Sequence, residues 1–183
     1  MNQRVARRKS WYPSYEPSHE GEIRKMLELA EVTHDDVVYD IGCGEGNILL
    51  GALSRGARTI GVDYSPLRIR REKQMIGDRG EIIYGDIFED HFWSHKGNDN
   101  NHAVYNATVL TMFLNAGMNA HLRPLLEEEL RAGTRVVSNY WPVIGWIPVG
   151  TAETYFNQNS FCTKFLSHFQ IEMHENDSTL YQV

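Results

Sequence analysis

Two cysteines are too few for a disulfide framework, and neither Cys43 nor Cys162 has the neighbours of a zinc cluster. No apolar run approaches the roughly 20 residues a membrane helix needs, and the N-terminus shows no signal-peptide pattern. No membrane partner is expected, and a reducing, cytoplasmic location is. An excess of positive charge is also missing. Eighteen Lys and Arg stand against 24 Asp and Glu, a net charge of −6, which argues against a broad nucleic-acid surface. No Gly-Lys-Ser/Thr closes a glycine loop, so a Walker A site is excluded. His91 and His95 stand four apart, but no third ligand has suitable spacing, and no metal is expected. Internal repeats are absent.

The 183 residues, 42% hydrophobic and 23% charged, suit one domain able to bury a core unaided. Residues 1–14 form a basic arm, with Arg4, Arg7, Arg8 and Lys9 ahead of Trp11-Tyr12. Two readings of it stand together: a poorly ordered, flexible terminus, or an arm that holds an acidic partner. Residues 15–183 are read as a single domain. His19 to Val32 has a helical apolar period, and Val37–Ile41 is a short apolar run ending at glycine, the form of a buried parallel strand. Asn47 to Ser54 reads as a helix with Asn47 as N-cap. Arg58–Asp63 is a second strand, followed by a helix opened by Ser65-Pro66. Glu81–Asp86 gives a third strand, Ala103–Ala107 a fourth, Gly117 to Arg131 a helix, and Gly133–Asn139 a turn and a fifth strand. Lys96–Asn101 is expected as a surface loop. Past Ile144 the helical pattern stops; antiparallel closure is expected, with Ser178–Val183 as a last strand. Strands alternating with helices make this an α/β protein with a doubly wound, Rossmann-like sheet.

In such sheets ligands bind beyond the carboxyl ends of the strands. Asp40, Asp63 and Asp86 fall at three successive ends, beside the loop Asp40-Ile41-Gly42-Cys43-Gly44-Glu45-Gly46. Dinucleotide folds use G-x-G-x-x-G against a pyrophosphate. Here Gly42, Gly44 and Gly46 have the spacing G-x-G-x-G, with an acid two residues before the first glycine. That pattern suits S-adenosylmethionine, which has no phosphate but offers an ammonium, a carboxylate, a sulfonium and a ribose diol. Asp40 is placed for the ammonium, the glycine backbone for the methionine tail, Asp63 for the ribose hydroxyls, and Asp86 with the Ile87 backbone for the adenine edge. Cys43, between glycines, is read as packing.

These residues resemble the small archaeal protein-lysine methyltransferases and their mitochondrial relatives, within the seven-stranded class I methyltransferases. The resemblance spans about Tyr15 to Pro148. It rests on Tyr15-Glu16-Pro17-Ser18, Arg24–Ala30, Asp36–Gly46, Gly85–Glu89, Gly133–Ser138 and Gly145-Trp146. It implies a seven-stranded, mostly parallel sheet with an antiparallel C-terminal strand, and methylation of a lysine ε-amine in protein substrates. Tyr15 and Ser18 would close over the methionine end of the cofactor. Tyr105 and Asn106, taken as following the fourth strand, would face the sulfonium and the amine. Where the family commonly has Ser-His and an aromatic after the fifth strand, this chain has Ser138-Asn139-Tyr140-Trp141. Tyr105, Asn106 and Tyr140 are the candidates for orienting the amine. Tyr140 and Trp141 either line a lysine channel by cation–π attraction or pack in the core. A small-molecule or RNA acceptor, and a non-catalytic cofactor-binding domain, are the alternatives. Glu127-Glu128-Glu129 reads as a solvated helix face.

Overall fold

The computed structural model describes Tyr12 and residues 15–89, 92–93, 103–153 and 161–166, with 152–153 and 161–166 described by backbone alone. The basic cluster before Trp11, His91, His95, Lys96–Asn101 and Ser178–Val183 lie outside the described residues. Helix α1 (Glu20–Leu29) begins where the Glu22 carboxylate reaches back to accept the His19 N–H at 3.0 Å. It buries Met26 and Leu27, and Glu31 turns the chain toward the sheet at a φ of 54°.

The chain then alternates. β1 (Val37–Ile41), α2 (Asn47–Leu53), β2 (Arg58–Asp63), α3 (Pro66–Ile76) and β3 (Glu81–Tyr84) are followed by β4 (Val109–Met112) and α4 (Ala116–Glu129). β5 (Arg135–Asn139), β6 (Gly150–Glu153) and β7 (Phe161–Leu166) complete the described strands. They form one sheet in the order β3-β2-β1-β4-β5-β7-β6, parallel from β3 to β5 and antiparallel where β7 meets β5 and β6. The order reverses between β1 and β4, so a crevice opens there at the carboxyl ends.

Alternate residues feed two cores, as the two-residue period of a strand requires. Tyr39, Ile41, Leu110, Met112 and Val136 join Met118, Leu122 and Leu126 of α4 on one face. Val38, Val109 and Val137 meet Met26 and Leu27 of α1 and Ile48 and Ala52 of α2 on the other. Ser65 caps α3 with Pro66 in its first turn, as the dipeptide indicates. At α2 the cap is Gly46, not Asn47, because a left-handed φ of 85° turns the loop directly into the helix.

The fourth strand differs from its expected place. Val104–Asn106 form a single 3₁₀ turn, and β4 starts five residues after Val104, at Val109. The alternation in Ala103–Ala107 is broken by Asn106, whereas Val109–Met112 is buried at every position. Pairing of Val38 with Val109 and of Asp40 with Thr111 sets the register.

At the opposite edge, Asp36 ties three strand entrances together. It is 6% exposed and accepts from the Thr33 N–H at 2.8 Å, from the Thr108 hydroxyl at 2.7 Å and from the Arg135 guanidinium. Burial alone would raise its pKa; the Thr33 and Thr108 bonds and Arg135 outweigh that and hold it below the ordinary carboxylate value. Its stabilisation is therefore present above that value and lost as pH falls through the lowered one. Asp36→Ala is expected to cost roughly 3 kcal/mol at pH 7, and the gap from wild type is expected to close in acid. Urea unfolding across pH measures both.

Candidate active site

A pocket with about 790 Å³ of space, open to solvent, lies at the reversal of strand order. One wall is the glycine loop and the ends of β1 and β2: Asp40, Gly42, Gly44 and Asp63. The segment before α1, with Tyr15 and Ser18, covers it, and Ile87 closes the β3 side. Seven of the nine residues assigned to the cofactor from sequence thus come together. Gly46 faces Glu72 beneath the loop instead. The Asp86 carboxylate accepts the Phe88 N–H at 3.0 Å, which holds the turn that presents Ile87.

Asp40 is 1% exposed. Its cross-strand partner Thr111 donates to it at 2.8 Å. Burial, with the charge of Asp63 added, lifts its pKa to about 7 despite that bond. Asp63 is equally enclosed and accepts from the Gly44 N–H at 3.1 Å, the Ser65 N–H at 2.7 Å and Arg68 at 2.8 Å. A third carboxyl, Glu72, is wholly buried behind the loop, and burial followed by the charges of Asp40 and Asp63 pushes it up to about 8. The Cys43 thiol donates to Glu72 at 3.1 Å, and burial raises the thiol pKa. Cys43 is thus packing rather than nucleophile, as its position between glycines suggests.

Further wall residues escape the sequence reading. Tyr12 packs on Tyr64 with ring centroids 4.3 Å apart, so at least this residue of the arm belongs to the site. Arg68 also lines the pocket. Phe113, Leu114 and Met118 form the β4 side. The run Val109–Met112, longer and more apolar than Ala103–Ala107, is the signal that locates Phe113 and Leu114 beyond a strand.

Of the acceptor-side candidates, Tyr105 and Asn106 are not in the pocket. They precede β4 at the entrance end of the sheet, where the Tyr105 ring lies 4.9 Å from the Arg131 guanidinium. The strand lies between them and the crevice, which removes the geometric basis for their role. Tyr140 follows β5 at the crevice end, with a φ of 64° that is strained for a tyrosine. Its ring meets Trp141 edge-on at 5.0 Å. The turn is pinned from α4: Asn119 donates to the Trp141 carbonyl at 2.7 Å and to the Ser138 hydroxyl at 3.2 Å. Glu127 is not merely solvated, since it accepts from Trp146 at 2.7 Å and pairs with Arg123.

The donor set fits a ligand with a cationic amine, a diol and an uncharged tail. Carboxylates face the first two, and at Gly44 a Cβ would fall 2.6 Å from the Tyr15 ring, so only glycine lets loop and cover close together. The ANTKMT methyltransferase domain profile matches residues 40–150, from this aspartate to the start of β6. The chain belongs to this family. A protein-lysine N-methyltransferase of Saccharolobus islandicus is 39% identical over 73% of this chain and 80% of its own. An ATP synthase lysine N-methyltransferase of Xenopus laevis is 22% identical, over 73% of this chain and 56% of that protein. Among solved structures, an RNA methyltransferase from Salinibacter ruber in complex with S-adenosyl-L-homocysteine has a TM-score of 0.72 and 29% identity. It is aligned over its whole length with 88% of this chain.

In this methyltransferase the raised pKa of Asp40 opposes folding. A carboxyl with a folded pKa near 7 stabilises the protein below its unfolded value of about 3.9, and that contribution is lost as pH rises toward 7. Asp40→Asn is expected to raise the melting temperature at pH 8 and to flatten its decline between about pH 4 and 7. Thermal denaturation across pH, without ligand, measures this.

Proposed function

We propose that this methyltransferase uses S-adenosylmethionine to methylate lysine ε-amines of protein substrates. The observation that supports it best is the 39% identity to a protein-lysine N-methyltransferase across 80% of that enzyme, in a chain whose acids and glycines meet in one pocket. When bound, the cofactor supplies an electrophilic methyl group on a sulfonium. Asp40 would hold its ammonium, the Gly42–Gly44 backbone its methionine tail, and Asp63 its ribose; Tyr15 and Ser18 would exclude water above. Gly85 and Ile87 would border the adenine.

No covalent intermediate is required, so alignment and desolvation supply most of the catalysis. The acceptor amine has to arrive neutral, and from a pKa near 10.4 that costs roughly 4–5 kcal/mol at pH 7. Phe113, Leu114 and Met118 make the β4 side of the pocket apolar, and an apolar wall favours the uncharged amine. Tyr140, with Trp141 40% exposed beside it, is the candidate that orients the amine. An RNA acceptor is the second reading, from the likeness to the Salinibacter enzyme; the net charge of −6 weighs against it.

Incubation of the protein and a cell extract with methyl-labelled cofactor tests the proposal. Label is expected in protein, as methyl-lysine after hydrolysis, and Asp63→Ala is expected to abolish it. Label confined to RNA or small metabolites would overturn the lysine assignment. Asp40 adds a pH dependence: below about pH 7 cofactor affinity is expected to fall by up to tenfold per unit as the carboxylate is neutralised, a trend calorimetry should find absent in Asp40→Asn.

A further inference from the structure

We propose that Arg68 determines the cofactor affinity of this site by competing with the ribose diol for the Asp63 carboxylate. The inference rests on the assignment of the pocket to S-adenosylmethionine. A carboxylate offers about four lone-pair positions. At Asp63 they are matched by four donors: the Gly44 N–H at 3.1 Å, the Ser65 N–H at 2.7 Å, Arg68 Nε at 3.1 Å and Arg68 Nη2 at 2.8 Å. Two hydroxyls can be accepted there only if other donors withdraw. The backbone donors are held by the glycine loop and by the turn into α3, so neither can leave without unfolding the loop. Arg68 sits in the first turn of α3 on a long flexible arm and is the donor free to move.

Its surroundings suit an exchange. The guanidinium lies 5.2 Å from the Tyr15 ring and 5.1 Å from the Tyr64 ring. Both rings are pocket walls, so withdrawal of Arg68 alters the cover and the floor of the site together. The Arg68 side chain is 17% exposed against 3% for Asp63, so the arginine has contact with solvent that its partner lacks. Among the described lining residues Arg68 is the one Lys or Arg, facing Glu16, Asp40 and Asp63. The methylated cofactor carries a net positive charge and its demethylated product none. Arg68 therefore opposes the cofactor more than the product, and moderates the preference between them.

Calorimetry with S-adenosylmethionine and S-adenosylhomocysteine on wild type, Arg68→Met and Arg68→Gln tests this, with thermal melting of each protein alone. Both variants are expected to bind the cofactor at least threefold more tightly and the product with a smaller gain. They are also expected to melt lower without ligand, because Asp63 loses its partner. Arg68→Lys keeps the charge but not the two-pronged geometry, and is expected to fall between. If one variant fails to fold, the other decides. Unchanged or weaker cofactor affinity in a folded variant, with wild type binding normally, overturns the competition alone. A wild type that binds neither compound overturns the cofactor assignment and this inference with it.

Discussion

The hydrogen bond from the Gly44 N–H to the Asp63 carboxylate, 3.1 Å long, joins two elements on which the rest of the site is built. Through it the loop after β1 is fixed to the end of β2. Through the Ser65 N–H and Arg68 the same carboxylate also fixes the start of α3. A charge-assisted bond in a buried place is strong when satisfied and costly when broken. The loop is thus held by an acid that the ligand also needs.

Burial sets the character of this site. Asp40, Asp63 and Glu72 gather around one glycine loop with little solvent to screen them. Two of the three are lifted to about 7 and about 8, by burial first and by one another second. A protein selected for stability alone would place apolar residues there. The strain is consistent with a site shaped for a cationic ligand, and it explains why the glycine loop, Thr111 and Arg68 each present a donor to a carboxylate. The far edge of the sheet shows the opposite logic. There Asp36, Thr108 and Arg135 satisfy one another and lower a pKa instead of raising it.

Much of the cofactor half was legible in the sequence because its signals are local. A glycine run after a short apolar strand, an acid at a strand end and Ser-Pro before a helix each act within a few residues. Asp40, Gly42, Gly44 and Asp63 lie where those signals put them. The acceptor half was not legible, because strand pairing decides it. Tyr105 and Asn106 sit in an aromatic and amide-rich stretch that passes for a strand end, and only the pairing of Asp40 with Thr111 shows that the strand lies farther on. Arg68 was equally hidden, since a helix arginine reads as surface until its carboxylate partner is known.

The sequence by itself determined the α/β alternation, the glycine loop and the two acids that mark the ligand, since these depend on backbone conformation and periodicity within single elements. The tertiary structure alone decided which residues face one another. The register of β1 on β4 brought Thr111 to Asp40 and Phe113 to the pocket, and packing of α3 brought Arg68 and Glu72 under the loop. A one-residue change in register turns every side chain of a strand to the other face, so no local pattern can substitute for the pairing itself.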